Sequence, residues 1–314
     1  MEQTSKIVTV TLNPALDKTV IVESMKLGGL NRIQDMRTDA GGKGINVAKV
    51  LKRFEAEAVA WGFSGGAQGR TLEEKLRKEA IPFDFLEAEG ETRTNLKIVD
   101  ESSGLTTELN EPGFKANDAL LADFEAYFEA HVGEAAVAVL GGSLPPGAPQ
   151  SFYRRLIEIA NAKGVRVILD ADGEALREGI EAQPYALKPN IHELEALFGE
   201  RFLTMEKLRD AAATLIRGST RCVLVSMGEK GSLLIREGEA LRAVPFPIQP
   251  RSTVGAGDSM VAAMAYGFVQ GLSTEELARW TSAAGTITAS KAGTDVCTLQ
   301  EVRERLAEVQ VTKL

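Results

Sequence analysis

Histidine and cysteine are scarce: 314 residues hold two of each, His131, His192, Cys222 and Cys297. Two histidines cannot furnish a zinc cluster, and a Ser-His-Asp triad does not have its parts. His192 reads as a surface or packing residue. The cysteines stand far apart and in no C-x-x-C pattern, which points to a reducing compartment without a disulfide framework. No apolar run approaches the ~18 residues that a membrane span needs. The opening MEQTSKIVTVTLNP has no charged region followed by a long apolar one, so no secretory leader is expected and the chain reads as cytoplasmic. Positive charge is in deficit, with a formal net charge of −8. That argues against nucleic acid or an anionic membrane as partner. An anionic substrate would have to be held by local Lys, Arg and N–H groups. No G-x-G-x-x-G follows a strand, which sets aside a dinucleotide oxidoreductase. Internal repeats and low-complexity linkers are also missing.

What remains is ordinary globular composition, 44% hydrophobic and 25% charged. Ile7–Leu12 is short and β-branched and reads as a buried strand. From Ala135 on, strands and helices alternate. Ala135–Leu140, Val165–Leu169, a strand end at Ala186–Asn190, Cys222–Ser226 and Ser232–Arg236 read as strands. Phe114–His131, Phe152–Ala162, Glu174–Glu181, Glu193–Phe198 and Met205–Ile216 read as helices, and Thr274–Ala289 as a last long one before a C-terminal helix from Leu299. This rhythm predicts an α/β fold with a mainly parallel sheet and helices on both faces. Pro245, Pro247 and Pro250 predict an extended segment at an edge. Two blocks break the rhythm. Lys18–Glu23 with part of Asn31–Thr38, and Thr92–Val99 with Leu105–Asn110, alternate polar and apolar residues and have no long helix between them. They predict four strands of a small separate sheet that covers something.

Two glycine-led helix starts carry the chemistry. Ser252–Met264, STVGAGDSMVAAM, opens with Gly255-Ala256-Gly257-Asp258 and continues apolar nearly all round, as a buried helix does. A helix mouth with free N–H groups is an anion site, and Asp258 there could accept a proton from a hydroxyl held beside a phosphate. It could equally be an N-cap. Ala40-Gly41-Gly42-Lys43-Gly44-Ile45-Asn46 leads into a helix from Val47 to Phe54. It is not a Walker A loop, because Lys43 is followed by Gly44 rather than Ser or Thr. It is either a backbone and Lys43 site for a phosphate or sugar, or a turn with a solvated lysine. Strand ends add Asp17, Ser143, Asp170, Asn190, Glu193, Ser226 and Gly228, which a parallel sheet gathers at one edge. Asp170, Asn190 and Glu193 offer the oxygen ligands that Mg²⁺ prefers; Glu193 could also be a first-turn acid.

These stretches, with TLNPALD, TRTN, GSLPPG, LKPNIHE and VSMGEKGS in order between and around them, resemble the pfkB (ribokinase-like) carbohydrate kinase family over nearly the whole chain. Within it the chain is most similar to the branch of 1-phosphofructokinase and tagatose-6-phosphate kinase. Ser252, where many members have Asp before the Thr, fits that branch. The resemblance implies a three-layer α/β/α domain from 1–12, 40–90 and 112–314, with a small β lid from 13–39 and 91–111. It implies ATP and Mg²⁺, in some members K⁺ near Ser252, Val254 and Gly293, and a homodimer through the lid. It implies Asp258 as base and Gly255, Ala256 and Gly257 as anion hole. Asp17, Gly42, Lys43, Asn46, Arg93, Asn95 and Ser143 would bind the sugar phosphate. Lys188, Asn190, Ser226, Gly228 and Gly231 would bind the nucleotide, and Glu193, Asn190 and Asp170 the Mg²⁺. The expected activity is ATP-dependent phosphorylation of a ketohexose phosphate, most of all fructose 1-phosphate to fructose 1,6-bisphosphate. Tagatose 6-phosphate and fructose 6-phosphate are the alternative substrates. An unphosphorylated sugar or nucleoside would not need Lys43 and Arg93 as cations, and a catalytically silent sensor would not need Asp258.

Overall fold

The large sheet grows outward from Ile7–Thr11, whose five residues are all buried. A strand so apolar belongs in the middle of a parallel sheet covered on both faces. It pairs in parallel with Ala58–Ser64 on one side and Val137–Gly141 on the other. The computed structural model describes residues 4–314, so the first three residues of the 1–12 segment lie outside the described part. Ten strands form this sheet. They run in the order Gln310–Lys313, Glu239–Val244, Ser232–Arg236, Cys222–Ser226, Ala186–Leu187, Arg166–Asp170, Val137–Gly141, Ile7–Thr11, Ala58–Ser64, Phe83–Glu87. From Cys222–Ser226 to Phe83–Glu87 every pairing is parallel. The three strands at the other end are antiparallel.

One face packs on helices Lys43–Arg53, Ala256–Gln270 and Thr274–Ala289, through a core that includes Val50, Phe54, Val261, Met264 and Ile287. The opposite face packs on helices Asp118–His131, Phe152–Ala162 and Gly173–Glu181, through Phe124, Phe128, Leu156 and Leu176. The result is the three-layer arrangement expected. Helix Ala256–Gln270 is buried along nearly its full length, as its all-apolar pattern predicts.

A separate four-stranded sheet has the order Asp35–Gly41, Ala15–Val22, Arg93–Asp100, Thr106–Asn110. Its central pair is parallel although the two strands come from distant parts of the chain. Leu16 and Ala40 pack on Ile45, Ala48 and Leu72, which seats this lid on helices Lys43–Arg53 and Gly66–Lys78.

Several local expectations needed correction. The helix after AGGKGIN, expected from Val47, starts earlier, at Lys43. The helix expected from Phe114 begins at Asp118, because Asn117 caps it by accepting from the Leu120 N–H at 2.8 Å. The Ala186 strand contributes only two ladder residues, since Pro189 has no N–H to continue it. The proline segment after Val244 lies outside any strand, and the edge position belongs to Gln310–Lys313. That strand, Glu239–Val244 and Phe83–Glu87 are short and partly exposed, so neither alternation nor a long apolar run marks them.

Candidate active site

Strand ends and the two glycine-led helices meet along one edge of the large sheet, under the lid. Gly255 caps helix Ala256–Gln270 in the left-handed region, φ 76°, a conformation that glycine adopts without cost. Ser259 ties this mouth down: its hydroxyl is 2.8 Å from the Thr288 hydroxyl, which also accepts the Cys297 N–H at 3.1 Å. Asp258 lies in the first turn, buried, and its Oδ2 accepts from Asn46 Nδ2 at 2.7 Å. Burial and the nearby Asp170 push its carboxyl up to about 6, against the Asn46 hydrogen bond and the charges of Lys43 and Lys188.

Asp170 ends its strand wholly inside the protein, between two ammonium groups. Lys43 Nζ is 2.9 Å and Lys188 Nζ 3.4 Å from its Oδ1. Burial alone would raise its pKa, but the two lysines outweigh burial and hold it below the usual carboxylate range. The same contact raises the Lys43 pKa in spite of its own burial. Lys188 Nζ also stands 3.6 Å from where a side chain on Gly257 would begin, so this cation sits at the helix mouth.

Two of the expected ligand residues meet each other here. Lys43, expected at the sugar-phosphate end, has its ammonium on Asp170 and beside Asp258. Asp170, expected as a metal ligand, is the counter-ion of two lysines, both on its Oδ1. Among the described residues no group of three or more His, Cys, Asp or Glu could hold a metal ion. Asn190 and Glu193 form a reciprocal cap on helix Ile191–Phe198, Asn190 N–H to Glu193 Oε2 and Glu193 N–H to Asn190 Oδ1, both at 2.8 Å. The cap leaves Glu193 Oε1 without a hydrogen-bond partner among the described residues.

Asn190 bridges to Ser226, and Met227 N–H donates to the Gly231 carbonyl across a tight turn. Gly228, φ 60°, faces open space, whereas a side chain on Gly231 would start 2.0 Å from the Ala243 carbonyl. The predicted nucleotide residues therefore border one loop cluster at neighbouring strand ends.

The lid supplies the other wall. Asp17 is buried and accepts from Asn95 Nδ2 at 2.9 Å. Gly41 must be glycine here, since a Cβ would lie 2.6 to 2.8 Å from the Asp17 carboxyl atoms. Arg93 donates to the Glu111 carbonyl at 3.2 Å and to Ser143 Oγ at 3.3 Å, while its buried Nε has no partner. Arg93 and Ser143 line a cleft of ≈ 420 Å³ with Asn13, Asn110 and Glu111. Another cleft, ≈ 450 Å³ and lined by Glu125, Glu129, Arg155, Glu158 and Lys163, shares none of these residues.

Three groups here escaped sequence reading. Asn13 Nδ2 donates to the Pro112 carbonyl at 3.1 Å and to Ser143 Oγ at 3.3 Å, tying two loops together. Arg37 on the lid reaches Thr294 Oγ1 at 2.9 Å and Asp295 at 3.4 Å, joining the lid to the loop beside the helix mouth. Lys97 donates to Asp17 Oδ2 from the same face of the lid sheet. The available signals were the break at Asn13-Pro14 after a buried strand and the period of two that puts Lys97 on the face of Asn95.

The pfkB family carbohydrate kinase model matches residues 10–301, and the chain belongs to that family. The 1-phosphofructokinase of Bacillus subtilis is 37% identical over 98% of this chain and 100% of its own length. The tagatose-6-phosphate kinase of Staphylococcus epidermidis is 31% identical, over 98% of this chain and 100% of its own. Among solved structures, Escherichia coli phosphofructokinase-2 in complex with potassium superposes with a TM-score of 0.92 at 33% identity, covering 97% of this chain and 99% of that one. The fold is thus the ribokinase-like one expected. No helix among the described residues is long and apolar enough to cross a membrane.

Proposed function

We propose that this protein transfers the γ-phosphoryl group of ATP to O6 of fructose 1-phosphate, giving fructose 1,6-bisphosphate. The observation that carries the reading is Asp258, a buried carboxylate at a helix mouth with its pKa raised to about 6. Such a group is suited to accept a hydroxyl proton near neutral pH. The choice of fructose 1-phosphate is supported by the similarity to the Bacillus subtilis enzyme.

Phosphoryl transfer needs positioning and charge neutralisation more than covalent chemistry. Asp258 takes the proton of the attacking hydroxyl, and Asn46 aims it. The N–H groups of Gly255, Ala256 and Gly257 face the charge that develops on the transferring group. Lys188 and Lys43, held by Asp170, stand beside them. Asp17 and Asn95 accept and donate hydrogen bonds to the sugar, and Arg93 receives its phosphate with Ser143. Lys188, Asn190, Ser226, Gly228 and Gly231 form the nucleotide side. Mg²⁺ keeps most of its waters and needs few protein oxygens, so the free Glu193 Oε1, with Asn190 alongside, fits it, and the ion supplies charge neutralisation on the ATP phosphates. For K⁺ the place is the pair of loops around Ser252–Val254 and Gly293. The first of these is fixed by the Arg251 and Ser252 N–H groups on the Ala289 carbonyl. The potassium in the Escherichia coli structure supports that ion here.

The test is ADP release with fructose 1-phosphate, tagatose 6-phosphate, fructose 6-phosphate and fructose, each in K⁺ and in Na⁺ buffer. We expect fructose 1-phosphate to lead in kcat/KM by at least about tenfold, equivalent to ~1.4 kcal/mol. A lead by tagatose 6-phosphate, which presents O1 instead, would move the chain to the other activity of its branch, as the Staphylococcus epidermidis similarity allows.

The lid also supplies the expected homodimer contact. Met36 and Leu109 are 54% and 56% exposed, and Leu27, Leu30 and Ile33 are exposed close by in sequence. Met36 pairs with Val20, and Leu109 with Leu96, so these side chains share one face of the small sheet. Exposed large apolar side chains gathered on one sheet face suit an interaction site. Met36→Glu combined with Leu109→Glu should convert the dimer to a monomer in light scattering. An unchanged mass would exclude this face as the interface.

A further inference from the structure

The lysine beside Asp17 has no part in the mechanism above. Lys97 Nζ donates to Asp17 Oδ2 at 3.3 Å, while Asn95 occupies Oδ1. The two side chains are 10% and 7% exposed, so this is a buried ion pair. Asn95 and Lys97 are two residues apart on one strand and share a face, and Asp17 is the direct register partner of Asn95. The carboxylate is thus held from one strand at both oxygens, with the Gly41 backbone close against it.

An ammonium carries three donors, and Lys97 Nζ uses only this one among the described residues. A buried ion pair adds little net stability, because desolvation of two charges offsets their attraction. Cross-strand apolar pairs would hold a small sheet at least as well. The pair therefore needs a reason beyond the fold. An ionised carboxylate is an acceptor only, and each of its oxygens keeps a lone pair beyond the contact it already has. Such a group, locked in orientation, reads hydroxyl donors.

We propose that Lys97 is a positioning residue that fixes the Asp17 carboxylate as the acceptor for the hydroxyl groups of the sugar phosphate. The inference rests on the sugar-binding role proposed for Asp17. Removing Lys97 would leave that carboxylate hydrogen-bonded by Asn95 alone, buried and without its ion-pair partner.

The experiment is a double-mutant cycle with Lys97→Met and Asp17→Asn, read as KM for fructose 1-phosphate and for ATP. Lys97→Met is expected to raise the sugar KM at least about tenfold, the loss of a charge-assisted contact, and to leave the ATP KM within about twofold. In the Asp17→Asn background the same change should add less than about twofold, because the two residues act as a unit. An unchanged sugar KM overturns the proposal, and so does an equal factor in both backgrounds. If Asp17→Asn alone leaves the sugar KM unchanged, Asp17 is not a sugar ligand, and the reading beneath the proposal falls as well. Should Lys97→Met not yield folded protein, Lys97→Gln keeps a donor without the charge. It is expected to raise the sugar KM too, and an unchanged value overturns the proposal.

Discussion

Asp258→Asn is expected to lower kcat by at least about 10², while KM for ATP and sugar stays within a few-fold. The amide keeps an acceptor for Asn46 and the shape of the helix mouth, but it cannot take a proton. In the wild type, kcat/KM should fall about tenfold per pH unit below about 6, where Asp258 becomes protonated before the hydroxyl can use it. In the variant this acidic limb should be gone from the residual rate. The same substitution should stabilise the fold. An acid whose folded pKa exceeds its unfolded one costs stability above the folded value and nothing below the unfolded one. Asp258 therefore costs stability at neutral pH, on the order of 1–3 kcal/mol, and the cost fades as pH falls from about 6 to about 4. Asp258→Asn should thus raise the melting temperature at pH 7.5 and change it little at pH 4. A variant with near-normal turnover would remove Asp258 from the mechanism. A lower melting temperature would mean that Lys43 and Lys188 hold the ionised carboxylate more firmly than burial resists it.

Arg93→Ala and Lys43→Ala should fail in different ways. Arg93 stands at the lid cleft with a buried Nε that has no partner, as a donor waiting for an anion does. Its loss should lower kcat/KM for fructose 1-phosphate by roughly 10–150-fold, from ~1.5–3 kcal/mol for a charge-assisted contact, and leave fructose nearly untouched. Lys43 is bound to Asp170 near the helix mouth, so its loss should reduce kcat for both sugars alike. Equal loss for both sugars in Arg93→Ala would mean that this arginine does not read the phosphate. Selective loss of the phosphorylated sugar in Lys43→Ala would return that lysine to the sugar end.

Much of this protein is legible in its sequence because backbone position has a period. Continuous apolar runs mark the central strands, and the glycine-led helix starts stand out against them. The rule that ligand groups gather at strand ends then collects Asp170, Asn190 and Ser226 on one edge, whereas Asp17, expected there too, lies inside the lid strand Ala15–Val22. Partners have no period. Lys43 precedes Asp170 by 127 positions, and nothing near either residue says that they touch. Glu193 illustrates the same limit: an acid in a helix's first turn looks the same whether it caps the helix, meets a metal or does both. Lys97 is not legible because a lysine in an alternating strand usually faces water, whereas here it is buried against Asp17.

The glycines of AGGKGIN are best understood by what lies against them. Gly41 leaves room for Asp17, and a side chain on Gly44 would begin 2.5 Å from the Val10 carbonyl. That signature is clearance between the first helix and the strands beside it. The groups proposed to face the sugar, Asp17, Arg93 and Asn95, with Lys97 holding Asp17, ride instead on the lid strands, where alternating side chains can be exchanged without moving the large sheet. Fold and substrate choice are written in largely separate stretches of the chain. A lineage could drift from one ketose phosphate to another while its most recognisable signature stayed the same.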